Sequence, residues 1–557
     1  MCGFTFRLSR NLMGPSGFLQ HRGPDEQSYF RGANYEVEFS RLTITGTKDG
    51  EVPVSSGSNR WLVAFNGEIY NFKTLISTYS LPFTDSDTRT IAEGLDKIGI
   101  SFFSRLRGMY AGVAIDTVSN RSYIFRDPLG EKPLFYNLSS QGLSIASEFT
   151  ALLKLLNRPL ALNLDAVSDF FRFGYVEEPH TFDLEIHSVK RGVVLRVLED
   201  SSFEEVLQLH GFDNEETSLP LPQMLRILQD EDSVTSVPTG LALSAGIDST
   251  SLFNAMVSAR DREFVPIIMN IDSSGYSSEA RDAIQACVKL GVTPKVLNYS
   301  DEHSLSLDLA RLAVLNDQPH SDPSGLSYLR IFEASRAIGL KVIILGHGPD
   351  ELFWGYPWFN EKLSKFLEKG EVLSKSERVF WDNPSTSKRL LWNFANSRRH
   401  TAPSEFSSDS FLVSSDPWER FRAEMTHSYL SSNGLRQSDR LAMASSVEPR
   451  TPYADSRLYG WAQVNSKKIP TSFNKAEFRN AVDLGHLETT RFRKKEGFIS
   501  PMGDWFRIKE VSDLTESYLE LLNKDYLEWR IKPRMKFLSP SEKYKVVMLG
   551  GWLSQFN

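Results

Sequence analysis

Cysteine is almost missing from this chain: residues 2 and 287 are the two in 557. Two cysteines frame no disulfide-stapled fold, and they fit a reducing compartment. Long apolar runs are missing as well. No stretch of 18 or more apolar residues occurs, so no transmembrane helix is expected. The opening MCGFTFRLSRNLMG has no signal-peptide core. A cytoplasmic location is the expectation. Positive charge does not prevail: 63 Lys and Arg stand against 70 Asp and Glu, a net charge of −7. An acidic chain with no long basic block repels a phosphate backbone, which excludes nucleic acid as a first partner. The short basic cluster Arg491, Arg493, Lys494, Lys495 reads as a solvated face, with a polyphosphate contact as the alternative. Internal repeats and low-complexity tracts are also lacking.

What is present is ordinary globular composition, 41% hydrophobic and 24% charged, at a length that predicts two or three domains. The texture changes near residue 200. Before it, short apolar runs such as CGFTFRL, EVEFSRLTI, RWLVAF, MYAGVAID, RSYIFRD and GLSIAS alternate with turn signals. These predict antiparallel hairpins, with helices near 87–99 and 163–173. The acidic stretch DNEETSLPLPQ at 213–223 reads as a linker. Beyond it the rhythm becomes strand, loop, helix. Strands are predicted at 240–244, 264–271, PKVLNY and 341–345, which argues for a parallel sheet with helices on both faces. Ligands of such sheets sit at the carboxyl ends of the strands. Residues 357–425 are helical in pattern and carry no assignable chemistry.

Two constellations carry chemistry. With Met1 removed, Cys2 would hold a thiol and a free α-amine, a nucleophile and a base on one residue. It is followed by His21-Arg22-Gly23-Pro24-Asp25, Arg41-Leu42, Phe65-Asn66-Gly67-Glu68-Ile69-Tyr70-Asn71, Ser86-Asp87-Thr88 and Arg126-Asp127-Pro128-Leu129-Gly130-Glu131-Lys132-Pro133-Leu134. Asn-Gly is also a common hairpin-turn pair. Arg126, Asp127 and Lys132 read as residues that shape a loop. In the second half, Ser244-Ala245-Gly246-Ile247-Asp248-Ser249 follows a strand and opens a helix. Small residues there let backbone amides face a pyrophosphate, and Asp248 offers a hard oxygen to Mg²⁺. Gly346-His347-Gly348-Pro349-Asp350-Glu351 follows, preceded by Asp317-Gln318-Pro319 and Asp322-Pro323-Ser324. Later come Ser438-Asp439-Arg440, Met443, Glu448-Pro449-Arg450-Thr451-Pro452, Asn474-Lys475 and Lys494-Lys495-Glu496-Gly497-Phe498. An N-cap is the alternative reading of Asp350, and a surface lysine that of Lys475.

In this order, over nearly the whole chain, these motifs resemble the asparagine synthetase (glutamine-hydrolysing) family. The resemblance implies an α+β N-terminal nucleophile (Ntn) hydrolase sandwich over residues 1–205. An α/β parallel-sheet ATP pyrophosphatase domain of the adenine nucleotide alpha hydrolase-like kind would follow over 218–557. It implies a ligase in which Cys2 attacks glutamine, with Asn66 and the Gly67 amide holding the oxyanion. Arg41, Asn66, Glu68 and Asp87 would bind the glutamine. Leu243, Ser244, Gly246, Ser249, Met269, Leu345 and Gly346 would bind ATP and its pyrophosphate, with Asp248 and Asp350 on Mg²⁺. Lys475 would stabilise the acyl-adenylate step, and position 347 would face the acceptor. Ammonia would cross between the domains to a carboxylate activated by ATP, aspartate first, with a sugar acid or natural-product intermediate as the alternative. A binding protein of the same fold without synthetase chemistry is a further alternative. The partners implied are small molecules, with a homodimer as the assembly. Departures gather at the acceptor end. His347 replaces a usual acid, Pro349 a small residue, Ala245 a glycine, Gln437 a lysine and Gln318 a glutamate. Ala245 would strain its loop if that position required φ > 0.

Overall fold

The structure, a computed structural model, describes residues 2–45, 53–199, 202–233, 235–259, 263–270, 277–298, 304–356, 417–466, 475–493, 501–527 and 535–556. Asn474, the 494–498 motif, Trp358 and most of the 357–425 segment lie outside the described residues.

The first half is two antiparallel six-stranded sheets. One runs Ile186–Ser188, Phe135–Ser139, Gly142–Ala146, Cys2–Leu8, Tyr35–Arg41, Glu26–Arg31. The other runs Phe203–Gln208, Val193–Val197, Arg121–Arg126, Gly108–Asp116, Trp61–Ile69, Val54–Ser55. Alternation along each strand decides what faces inward. Phe4 and Phe6 from the first sheet meet Leu62, Ala64, Val113 and Ile115 from the second in one buried cluster. Each such side chain withdrawn from water contributes about 1.5–3 kcal/mol. The same period places Cys2 and Asn66 on these inner faces, where Cys2 N–H donates to Asn66 Oδ1 at 3.1 Å. Trp61, Val63 and Phe65 point the other way. They pack under the Phe72–Tyr79 and Asp87–Ile98 helices through Leu75, Ile91 and Leu95.

The second half holds a five-stranded parallel sheet in the order Lys295–Asn298, Phe264–Asn270, Thr239–Ala242, Val342–Ile344, Glu448–Arg450. The fifth strand is not legible as one, because Pro449 stands at its centre. Proline cannot donate to a ladder, and here it sits on an edge strand. Chain order reverses between Thr239–Ala242 and Val342–Ile344. A crevice therefore opens beyond their carboxyl ends, flanked by the 243–246 and 345–348 loops.

The halves share a core. Phe149, Phe170 and Phe182 pack with Leu309, Phe332 and Trp552. Polar contacts reinforce it. The helix Phe149–Leu156 receives no side-chain cap from Glu148; instead Asp317 of the other half accepts from Phe149 N at 2.7 Å and Thr150 N at 2.8 Å. Gln318 Oε1 accepts from Phe182 N at 3.1 Å. These two residues, quoted above with the synthetase motifs, are interface residues. Arg22 is fully buried. It donates to Cys2 O at 3.0 Å, to Glu148 at 3.1 Å and to Asp439 at 3.0 Å. Arg440 also pairs with Glu148. Buried charges of this kind are tolerated because each is partnered.

Two candidate pockets in one chain

The first pocket lies at the end of the sandwich, lined by Cys2, Arg41, Leu42, Thr45, Gly67, Glu68 and Asp87 among others. Burial pushes the Cys2 thiol up, so it rests protonated. Asn66 is fully buried, and its Oδ1 accepts from Cys2 N. Its Nδ2 has no acceptor among the described residues. The Asn66-Gly67 pair lies within the Trp61–Ile69 strand, so the hairpin-turn alternative is removed. Gly67 has φ 145°. A Cβ there would stand 1.9 Å from Met109 O, so only glycine fits. Arg41 donates to Glu26 at 3.2 Å and to Thr45 O at 3.3 Å.

Glu68 and Asp87 form a buried acidic pair in the same pocket. Burial first, then the charges of Glu448 and Asp87, push Glu68 up to about 8. Burial raises Asp87 to about 6, although it accepts from Ile69 N at 3.1 Å and Thr88 N at 2.8 Å. Two of the groups that set this field come from the far half of the chain. Arg450 approaches Glu68 at 3.6 Å and holds Glu448 at 2.7 Å, and its guanidinium lies 5.6 Å from the Tyr70 ring. Against burial, which pushes it up, surrounding positive charge including Arg450 and Lys132 brings Glu448 down to about 2. Sequence spacing carries no signal for this contact, because about 380 positions separate the partners.

The second pocket is a cavity of about 490 Å³ in the crevice of the parallel sheet. It brings together Leu243, Ser244, Gly246, Asp248, Ser249, Met269, Leu345, Gly346, His347, Asp350 and Lys475. The residues expected on ATP, on Mg²⁺, at the acyl-adenylate step and at the acceptor thus line one cavity. The serines tie its first loop. Ser244 N donates to Ser249 Oγ at 3.1 Å, and Gly246 N to Ser244 Oγ at 3.1 Å. Ala245 is not among the residues of positive φ, so its methyl brings no strain. Pro349 takes the first position of a short helix, where an N–H has no intrahelical partner to lose, and Gly348 is the N-cap. Asp350 is therefore not a cap.

Lys475 is 2% exposed, which removes the surface-lysine alternative. Its Nζ donates to Asp248 at 2.9 and 2.6 Å and lies 2.9 Å from Asp350 Oδ1. Burial works against its charge, but the two carboxylates raise its pKa and keep it an ammonium. Two carboxylates that converge on one cation are a donor set suited to Mg²⁺, with phosphate and water to complete the shell. Arg493 also lines the cavity, which corrects the solvated-face reading for that residue. Arg491, in contrast, pairs with Glu488 at the surface. Trp354 is core, edge-on to Trp418 at 5.5 Å. Arg126 and Asp127 serve their loop. Arg126 donates to Lys132 O at 2.7 Å and Val189 O at 2.6 Å, and Asp127 accepts from Glu131 N at 2.9 Å. Among the described residues no helix is long and apolar enough to cross a membrane.

Known proteins resemble both halves. The family model described as a glutamine amidotransferase domain matches residues 1–206, and that described as asparagine synthase matches residues 230–540. The protein named asparagine synthetase [glutamine-hydrolyzing] 1 of Bacillus subtilis (strain 168) is 25% identical, covering 95% of this chain and 92% of its own length. Asparagine synthetase [glutamine-hydrolyzing] 2 of the same organism is 26% identical over 82% of this chain and 64% of its own. A solved glutamine phosphoribosylpyrophosphate amidotransferase from B. subtilis aligns with 64% of this chain and 83% of its own. Its identity is 14% and its TM-score 0.28, too low to carry an argument. On the two matched families and the relatives that span nearly its full length, the chain belongs to the asparagine synthase family, as an ATP-dependent ligase that takes its nitrogen from glutamine.

Proposed function

We propose that the sandwich pocket hydrolyses glutamine and that the crevice adenylates an acceptor carboxylate, which the released ammonia then attacks. The observation that carries the glutaminase half is Asn66. With Oδ1 committed to Cys2 N, Nδ2 is a buried donor beside the nucleophile, held ready for an oxyanion. With Met1 removed, the α-amine of Cys2 takes the thiol proton and the thiolate attacks the glutamine amide carbon. Asn66 Nδ2 and the Gly67 N–H hold the oxygen as it gains charge. The amide nitrogen leaves as ammonia, and water releases glutamate from the thioester. Arg41 exchanges Glu26 for the substrate α-carboxylate, a bidentate match. Glu68 and Asp87 hold the ammonium.

In the crevice, the amides of the Ser244–Ser249 loop and the start of the Ile247–Ser258 helix face the phosphates. Leu243, Met269, Leu345 and Gly346 line the nucleoside end. Asp248 and Asp350 would hold Mg²⁺, which supplies charge neutralisation on the phosphates when bound. Lys475, beside both carboxylates, would neutralise the negative charge that develops on the acyl oxygen and on the leaving phosphate. Ammonia crosses along the face the two halves share, where paired charges and a common core exclude water. Aspartate is the acceptor the family implies. The test is stoichiometry: glutamate and AMP should form in equal amounts when ATP, glutamine and acceptor are all present. AMP formation that never depends on an acceptor would refute the reading.

Two expected results follow from the first pocket. The raised carboxyls of Glu68 and Asp87 are neutral at low pH and cannot hold an ammonium. The KM for glutamine should therefore fall as pH rises from about 6 to about 8, while the KM for ammonia-driven synthesis should not follow this curve. Steady-state kinetics with each nitrogen source check this. Gly67→Ala should lower glutaminase kcat on the order of 100-fold by displacing one oxyanion donor, and should lower the melting temperature, because the added methyl meets backbone. A scan of thermal unfolding beside glutaminase assays reads both.

A further inference from the structure

The crevice lining holds groups that phosphate binding does not use. Asp322, Glu351, Tyr328, Tyr356, Tyr429, His347, Asn433 and Gln437 all line the same cavity. Tyr356 OH donates to Glu351 Oε1 at 2.6 Å, and Asn433 Nδ2 to Asp322 Oδ2 at 3.4 Å. Tyr356 and Tyr429 meet edge-on at 5.7 Å, and the Tyr328 ring lies 5.6 Å from the His347 ring. After burial, the charges of Asp322 and Glu351 are the next largest influences on both Tyr328 and Tyr429, so both carboxylates act on the same tyrosines through space. The 425–435 segment that carries Tyr429 and Asn433 is a π-helix, a form concentrated at functional sites.

His347 also ties into this wall. Ser438 Oγ donates to Gly434 O at 2.8 Å, so it accepts from His347 Nε2 at 3.0 Å. Gln437, where the family commonly has lysine, brings no charge; its amide donates to Asp322 O at 3.4 Å. The cations lining the cavity among the described residues are engaged elsewhere. Lys475 is on Asp248 and Asp350, Arg493 is on Asp282 at 3.0 Å, and Arg479 is on the carbonyls of Arg491 and Arg493.

We propose that the acceptor is a carboxylate bearing a cationic amine or guanidine and no second carboxylate, its cation held by Asp322 and Glu351 among the three tyrosine rings. Carboxylates and ring faces both attract a donor-rich cation. The α-carboxylate of aspartate would meet two like charges there, which repel it. The proposal rests on the adenylation reading for which carboxyl reacts, but not for where the cation binds. Matched probes separate the two: 4-aminobutanoate against succinate, 6-aminohexanoate against adipate, and L-arginine against L-aspartate. Exchange between pyrophosphate and ATP should be at least tenfold faster with the amine or guanidine member of each pair. Calorimetric binding in the presence of a non-hydrolysable ATP analogue should rank the probes the same way. Glu351→Gln and Asp322→Asn should each erase most of that preference, with ATP-analogue binding measured alongside to verify the fold. Equal or better binding by aspartate and the dicarboxylates, or a preference unmoved in both variants, would overturn the proposal. A binding preference without exchange for any probe would uphold the pocket and remove the adenylation reading instead.

Discussion

Cys2→Ala should abolish glutamine-dependent synthesis while ammonia-dependent synthesis stays within about twofold of the parent. Loss of the attacking sulfur removes the covalent step altogether, and removal of a nucleophile from a hydrolytic site costs on the order of 10³-fold or more. The substitution is mild for the fold. Cys2 lies at the start of its strand, packed against a cluster whose mass comes from Phe4, Phe6, Val37 and Phe39. The crevice keeps its residues, because Asp248, Asp350 and Lys475 make no contact with Cys2 in the pockets described. Glutamate release and AMP release, each with glutamine and with ammonium chloride, read both arms. Glutamine hydrolysis that survived in this variant would refute the nucleophile. The second cysteine is no substitute: burial in its own core pushes the Cys287 thiol up to about 12.

Lys475→Met should do the reverse, stopping synthesis from either nitrogen source by on the order of 10³-fold while glutamine is still hydrolysed. The ammonium is the cation between Asp248 and Asp350, and a methionine of similar length leaves those two carboxylates facing each other. Breaking a fully buried ion pair costs about 3–5 kcal/mol. The cost here is smaller, because the Asp248 and Asp350 side chains keep 14% and 11% exposure. The melting temperature should therefore fall modestly, and added Mg²⁺ should restore part of it by neutralising the same carboxylates. Arginine should not rescue activity. Its planar fork is larger than the point charge this site encloses, and position 475 has φ 57°, which fixes where the stem leaves the backbone. ATP–pyrophosphate exchange measures the loss. Exchange that persisted would reduce Lys475 to a structural tie between two aspartates.

The local pattern of this chain carried much of its own interpretation. Period-2 runs before residue 200 became the strands of the sandwich, since a half-buried strand must alternate whatever it later packs against. The helix expected near 87–99 is Asp87–Ile98, opened by Ser86 Oγ accepting from Arg89 N. A cap of this kind acts over three residues and is visible in one dimension. The strand–loop–helix rhythm after residue 230 likewise announced a parallel sheet. Its edge strand was hidden, because Pro449 violates strand propensity and only an edge position, with no ladder bond to give on that side, tolerates it.

What local pattern could not decide are the contacts that close over hundreds of residues. Arg450 and Glu448 belong by position to the synthetase motifs, yet their charges enter the pocket of Cys2 beside Glu68. Asp317 caps a helix of the opposite half, and Asp322 and Glu351 line one cavity from separate elements. Charge acts through space with a strength set by burial, and burial is a property of packing rather than of order along the chain. The sequence by itself determined which chemical groups are present and which elements carry them. Tertiary structure alone decided which of those groups share a low-dielectric pocket, and so which are caps, which are interface ties and which are free to act on a substrate.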